Sequence, residues 1–185
     1  MRSVATRAHP LVFGTIVFLA SESMLFAGLL AAYYYLRGAE APWPPPGADI
    51  DTVGMAFGSA LLALGSVTMI VAQSAALRGG RVLARAMLLL TIVCALGFLL
   101  LELNDWGSAN FHIADSAYAT IYFALTGTHF VHVVAGAVLL TAVAIFLRKP
   151  AFTREHQAGV EAIAYYWHFV FVVWLALYAT IFLIK

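Results

Sequence analysis

The sequence predicts an all-α membrane protein, a bundle of five transmembrane helices. Two observations carry that expectation. Of the 185 residues, 63% are hydrophobic and only 10% are charged, whereas a soluble domain is about half apolar and about a quarter charged. The apolar residues also gather into five long runs. Five spans of about 20 residues use roughly 100 apolar residues, and the hydrophobic fraction supplies about 117. Such a stock excludes a soluble enzyme, a disordered regulator and a coiled coil. The net charge of +1 argues against nucleic acid as a partner.

The runs fall at 10–37, 54–77, 82–104, 117–147 and 161–184. The first follows Arg2 and Arg7 and so has the outline of a signal peptide. Its stretch from Leu11 to Leu36 is too long for that, Glu22 interrupts it, and no small-x-small cleavage pattern follows. It is read as a retained first helix. The loop after it holds Trp43-Pro44-Pro45-Pro46-Gly47, a stiff connection with an aromatic residue suited to the membrane interface.

The second run carries Gly54, Gly58 and Gly65 at spacings of four and seven, one helical face that admits a close neighbour. The third holds Cys94, the only cysteine, which excludes an internal disulfide, thiolate zinc sites and iron–sulfur clusters. The fourth is longer than a perpendicular span needs and is expected to tilt or project. With short loops and no repeat, residues 1–185 read as a single domain.

Basic residues set the orientation. Arg2, Arg7, Arg78, Arg81, Arg85, Arg148, Lys149 and Arg154 share one side, leaving Arg37 and Lys185 on the other. The amino terminus is therefore expected in the cytoplasm and the carboxyl terminus outside. Glu40, Asp49, Asp51, Glu102, Asp105 and Asp115 fall on or near the outer side and give it a negative balance.

Three polar breaks in the apolar background carry most of the functional information. Glu22 stands roughly 18 Å inside the first span, near the bilayer middle, where an acid costs roughly 3 kcal/mol and should be neutral or paired. On the fourth helix, His129 and His132 share one face, which Gly136 continues. Their depth is close to that of Glu22, so a Glu–His contact between helices one and four is open. Near the inner end of helix five stands Tyr165-Tyr166-Trp167-His168-Phe169, with Trp174 one heptad after Trp167. Aromatic residues at that depth read as a membrane-interface belt. His129 and His132 sit on the same face, and no complete ligand set for zinc or copper accompanies them. The expectation is packing histidines and no metal. His9, His112 and His156 are assigned no role.

Taken together, these segments resemble the third subunit of haem–copper respiratory oxidases, in the short bacterial form of cytochrome c oxidase subunit III. The matching stretches are Ser21-Glu22-x-Met24-x-Phe26, Thr128-His129-Phe130-x-His132-Val133-x-x-Gly136, and Tyr166-Trp167-His168-Phe169-Val170 with Trp174. Asp105-Trp106 resembles the acidic-aromatic pair that closes the family's corresponding helix. The chain looks like the form lacking the first two of seven helices. One position departs: the Asp that usually follows the Trp-His-Phe-Val run is Phe171 here.

The resemblance implies an accessory subunit of a proton-pumping terminal oxidase in a bacterial inner membrane, without a catalytic or redox centre of its own. It implies packing on subunit I, which holds the haems and copper, with subunit II as a further partner and a cytochrome c domain or other respiratory subunits beyond it. Phospholipids are expected in the helical clefts. The positions carried over as buried polar sites for protons, lipid or subunit contact are Glu22, His129, His132, Trp167 and His168, with Gly54, Gly58, Gly65 and Gly136 as helix-packing positions. Alternatives are the equivalent subunit of a quinol oxidase or nitric-oxide-reductase-like complex, an independent proton-coupled transporter using Glu22 and His129, and a small b-type haem protein.

Overall fold

The computed structural model describes residues 9–147 and 154–184, with side chains from 157 onward in the last helix. Five α-helices run in order: α1 Pro10–Ala39, α2 Thr52–Leu77, α3 Arg81–Ser108, α4 Ala117–Phe146 and α5 Arg154–Tyr178, the last continued by a π-helical turn over Ala179–Leu183. All five are long and apolar enough to cross a membrane. Among the described residues there is no strand. Helices leave no backbone polar group unsatisfied in lipid, which is why an apolar chain resolves this way.

Local chemistry sets the helix starts. Pro10 stands in the first turn of α1, where its missing N–H is not needed. Asp51 caps α2 by accepting the Gly54 N–H at 2.8 Å, and Ser116 caps α4 by accepting the Ala119 N–H at 3.0 Å. The α2–α3 connection is a tight turn through Gly79, whose φ of +79° suits glycine. Arg2, Arg7, Arg148, Lys149 and Lys185 of the charge pattern lie outside the described residues.

The core lies between α2, α3, α4 and α5, and α1 packs against α4 and α5 from one side. Its largest fully buried side chains include Trp167, Trp174, Tyr122, Phe98, Leu62 and Leu125. The glycine positions explain how the indoles enter. A Cβ at Gly65 would lie 3.2 Å from one edge of the Trp167 ring, and a Cβ at Gly136 would lie 3.2 Å from the ring's other carbons. Trp167 thus fills a slot between α2 and α4 that two missing side chains leave open. Gly58 gives the same room to Phe98 of α3. Gly54 instead sits beside the carboxylate of Asp51, within its own helix cap.

Two readings of the sequence need correction here. Trp167 and Trp174 are core residues, each 0% exposed, and no part of an interface belt; the slot between Gly65 and Gly136 draws the first of them inward. Glu102 and Asp105 are not solvated charges, since they are 1% and 3% exposed. They occupy the face of α3 that also bears Phe98, which turns toward the interior.

Candidate functional site

The middle of the bundle brings Glu22 of α1 onto His132 of α4, with Oε2 3.0 Å from Nε2. Both side chains are largely covered, at 18% and 13% exposed. The other imidazole nitrogen fixes the protonation logic. His132 Nδ1 lies 2.7 Å from the carbonyl oxygen of Thr128 one turn earlier. A carbonyl only accepts, so Nδ1 carries hydrogen. A neutral imidazole then offers Nε2 as an acceptor, and the contact with Glu22 needs one further proton. Whether that proton rests on oxygen or nitrogen, the pair holds it between them.

Neighbouring groups hold the pair in place. Tyr166 of α5 donates its hydroxyl hydrogen to the His132 carbonyl at 2.9 Å. Phe26, one helical turn beyond Glu22, meets the His132 ring edge-on with centroids 5.0 Å apart. On the opposite side, Phe18 stacks on Tyr166 at 6.5 Å. That stack forms one wall of an apolar groove of about 560 Å³ between α1, α4 and α5, lined by Thr15, Leu139, Val143 and Ile163 among others. The groove opens one turn from the pair.

The remaining candidate residues lie apart from this contact. His129 is fully buried, and its Nε2–H donates to the Val170 carbonyl at 3.2 Å. Phe98 and Trp174 enclose its ring. His168 lies on the other face of α5, where Nδ1 is 2.7 Å from the Ser66 hydroxyl of α2. Among the described residues, no three His, Cys, Asp or Glu side chains gather as a metal site. Phe171 is half-buried against the core, so the place where the family has Asp contributes packing here.

A second polar cluster joins two acids that the sequence placed on or near the outer side, Asp105 among them as half of the acidic-aromatic pair, and the sequence did not show that they are buried together. Asp105 accepts the backbone N–H of Asp51 at 2.9 Å and the hydroxyl hydrogen of Tyr122. Glu102, one turn earlier on α3, is equally enclosed, and neither of its carboxyl oxygens has a partner. The signal available was the spacing of three on a face shared with Phe98.

Comparison with known proteins is consistent along the chain. The family model for cytochrome c oxidase subunit III matches residues 3–185. Cytochrome c oxidase subunit 3 of Dugong dugon is 37% identical over 178 residues, covering 92% of this chain and 68% of that protein. The subunit 3 proteins of Loxodonta africana and Gallus gallus are 38% and 35% identical, with the same coverage of both chains. The five spans, the ordered motifs and these matches agree: the chain belongs to the cytochrome c oxidase subunit III family, multi-pass accessory subunits of haem–copper respiratory oxidases.

Proposed function

We propose that this chain serves a proton-pumping cytochrome c oxidase by packing on subunit I, with subunit II in the same complex, and by supporting proton uptake and the enzyme's lifetime during turnover. The observation that carries this reading is the Glu22–His132 contact at 3.0 Å. An acid at that depth is costly unless it is paired or neutral, and this pair achieves either with one proton. The haems and copper belong to the partner subunits, and the residue chemistry of this chain fits that division. Its deeper histidines are directed apart, His129 to the Val170 carbonyl and His132 to Glu22.

The apolar groove beside the pair is read as the seat of a phospholipid acyl chain. Its walls are aliphatic and aromatic, and it runs along the helices as a lipid tail does. The chain acts as one domain in a bacterial inner membrane, with the amino terminus on the cytoplasmic side, as the distribution of Arg and Lys indicates.

Glu22→Gln in the assembled oxidase tests the reading. Expected are unchanged haem content and slower turnover, or a shorter active lifetime under sustained turnover. Wild-type rates and wild-type lifetime together would remove any proton or stability role for the pair.

A further inference from the structure

The second acidic cluster is a site in its own right, distinct from the Glu22–His132 pair. Glu102 is 1% exposed with both carboxyl oxygens unpartnered, a condition that native interiors rarely tolerate without a proton, a water or an ion. Asp105 is 3% exposed and differs in one respect: it receives two hydrogen bonds, from the Asp51 N–H and the Tyr122 hydroxyl. The two stand three residues apart on one buried helix face, where ionising both is disfavoured. The donors favour charge on Asp105, so the proton belongs to Glu102.

A second set of groups points to a further ligand. Tyr118 stacks on Tyr122, the hydroxyl partner of Asp105, with ring centroids 6.3 Å apart; the residue is only 2% exposed and its hydroxyl has no hydrogen-bond partner. The indole N–H of Trp43 is buried and unpartnered as well, and its ring meets that of Tyr118 with centroids 5.1 Å apart. The chain offers none of these polar groups a partner. Water supplies both donors and acceptors, and buried waters typically satisfy such leftover groups.

We propose that Glu102, Asp105 and the adjoining tyrosines form a buried site for one proton and its bound water, with the proton on Glu102 and the charge on Asp105. The titratable groups facing it are Asp105 on α3, Tyr118 and Tyr122 on α4, and Asp51 in the loop before α2. Asp51 is exposed, and its N–H hydrogen-bonds Asp105, which places the site within a short distance of the aqueous phase.

The test is infrared spectroscopy of the purified, assembled oxidase, comparing wild type with E102Q and D105N. The expected wild-type minus E102Q spectrum contains one carboxylic-acid C=O band, and that band shifts down in D2O. In D105N the band should lose intensity as pH rises, over a range where wild type keeps it, because the proton is no longer held against a neighbouring charge. Carboxylate bands in place of the acid band overturn the proposal, and their movement on exchanging sodium for calcium would identify a bound cation instead. A band at the frequency of an acid with no hydrogen bond removes the water. A D105N band that matches wild type at every pH removes the pairing. Failure of E102Q to assemble also overturns it, since a site built for a neutral acid accepts the amide of the same shape.

Discussion

The first helix and the four that follow are attached by different physics. Within the chain α1 buries only Val12, Phe26 and Tyr33, and side chains such as Phe13, Val17, Met24 and Tyr35 face outward. Beside a few ring contacts, of Phe18 with Tyr166 and of Phe26 with His132 and Phe169, its ties to the rest are polar: Glu22 to His132, Tyr34 to the Thr180 hydroxyl at 3.2 Å, Tyr33 to the Thr180 carbonyl at 3.3 Å, and Arg37 to the Ile184 carbonyl at 2.6 Å. By contrast, α2 to α5 interlock through rings set against glycines. In lipid the hydrophobic effect does not press helices together, so close packing and interhelical hydrogen bonds must do so. The core uses both, with Trp167 seated against two glycines and Ser66 bonded to His168, whereas α1 buries little and leans more on the second. The residue with the best claim to proton chemistry therefore sits on the helix that is least committed to its own chain.

This difference predicts the largest cost in the core. Trp167→Ala empties the slot between Gly65 and Gly136 and should destabilise the chain by about 3–5 kcal/mol. Reversible unfolding in mixed micelles would measure it, with loss throughout α2, α4 and α5. A cost below about 1 kcal/mol, a value typical of surface changes and mild repacking, would mean that the indole is no keystone of the bundle.

Next comes Asp105→Leu. It strands the Tyr122 hydroxyl in the interior and frees the Asp51 N–H near the surface. A buried donor left without a partner costs about 1–3 kcal/mol. The same unfolding assay reads this, and a neutral result would indicate that neither hydrogen bond is held in the membrane. His132→Leu follows at roughly 1 kcal/mol, the scale of an interhelical polar contact in a bilayer. Its signature is local: amide exchange should rise in residues 10–39 and stay unchanged in α3. Equal loosening of both would erase the distinction between a polar-tethered helix and a packed core.

Much of this arrangement could be read from the residues. Glu22 was visible because it interrupts a long apolar run far from either end. His129 and His132 were visible as neighbours on one face, though the sequence did not show that they would part company: His132 turns to α1, while His129 is enclosed by Phe98 and Trp174. Glu102 and Asp105 were counted with the outer-side acids because acids near a helix end are ordinarily solvated, and their contacts come from elements remote in sequence, Tyr122 of α4 and the Asp51 backbone before α2. Trp167 misled for the matching reason. Its place near the end of a span suggests an interface, and the glycines that admit it lie on two other helices, 71 positions apart in sequence.

Tyr33→Phe is the smallest and most discriminating change. It removes one oxygen and keeps the ring, which meets Trp43 at 5.4 Å and Tyr34 at 5.5 Å. The lost contact is a long hydrogen bond to the Thr180 carbonyl inside the π-helical turn. Such interhelical bonds in membranes average about 0.6 kcal/mol, so the expected cost is at or below that, with faster amide exchange confined to residues 179–183. Tyr33→Ala also takes away the ring, which is 1% exposed, and should cost several times more. If the two variants cost the same, the hydroxyl does all the anchoring and α1 is held by polar contacts alone. If Phe costs nothing and Ala nearly as much as Trp167→Ala, rings anchor α1 as they anchor the core, and the contrast between the two regions reduces to Glu22 and His132.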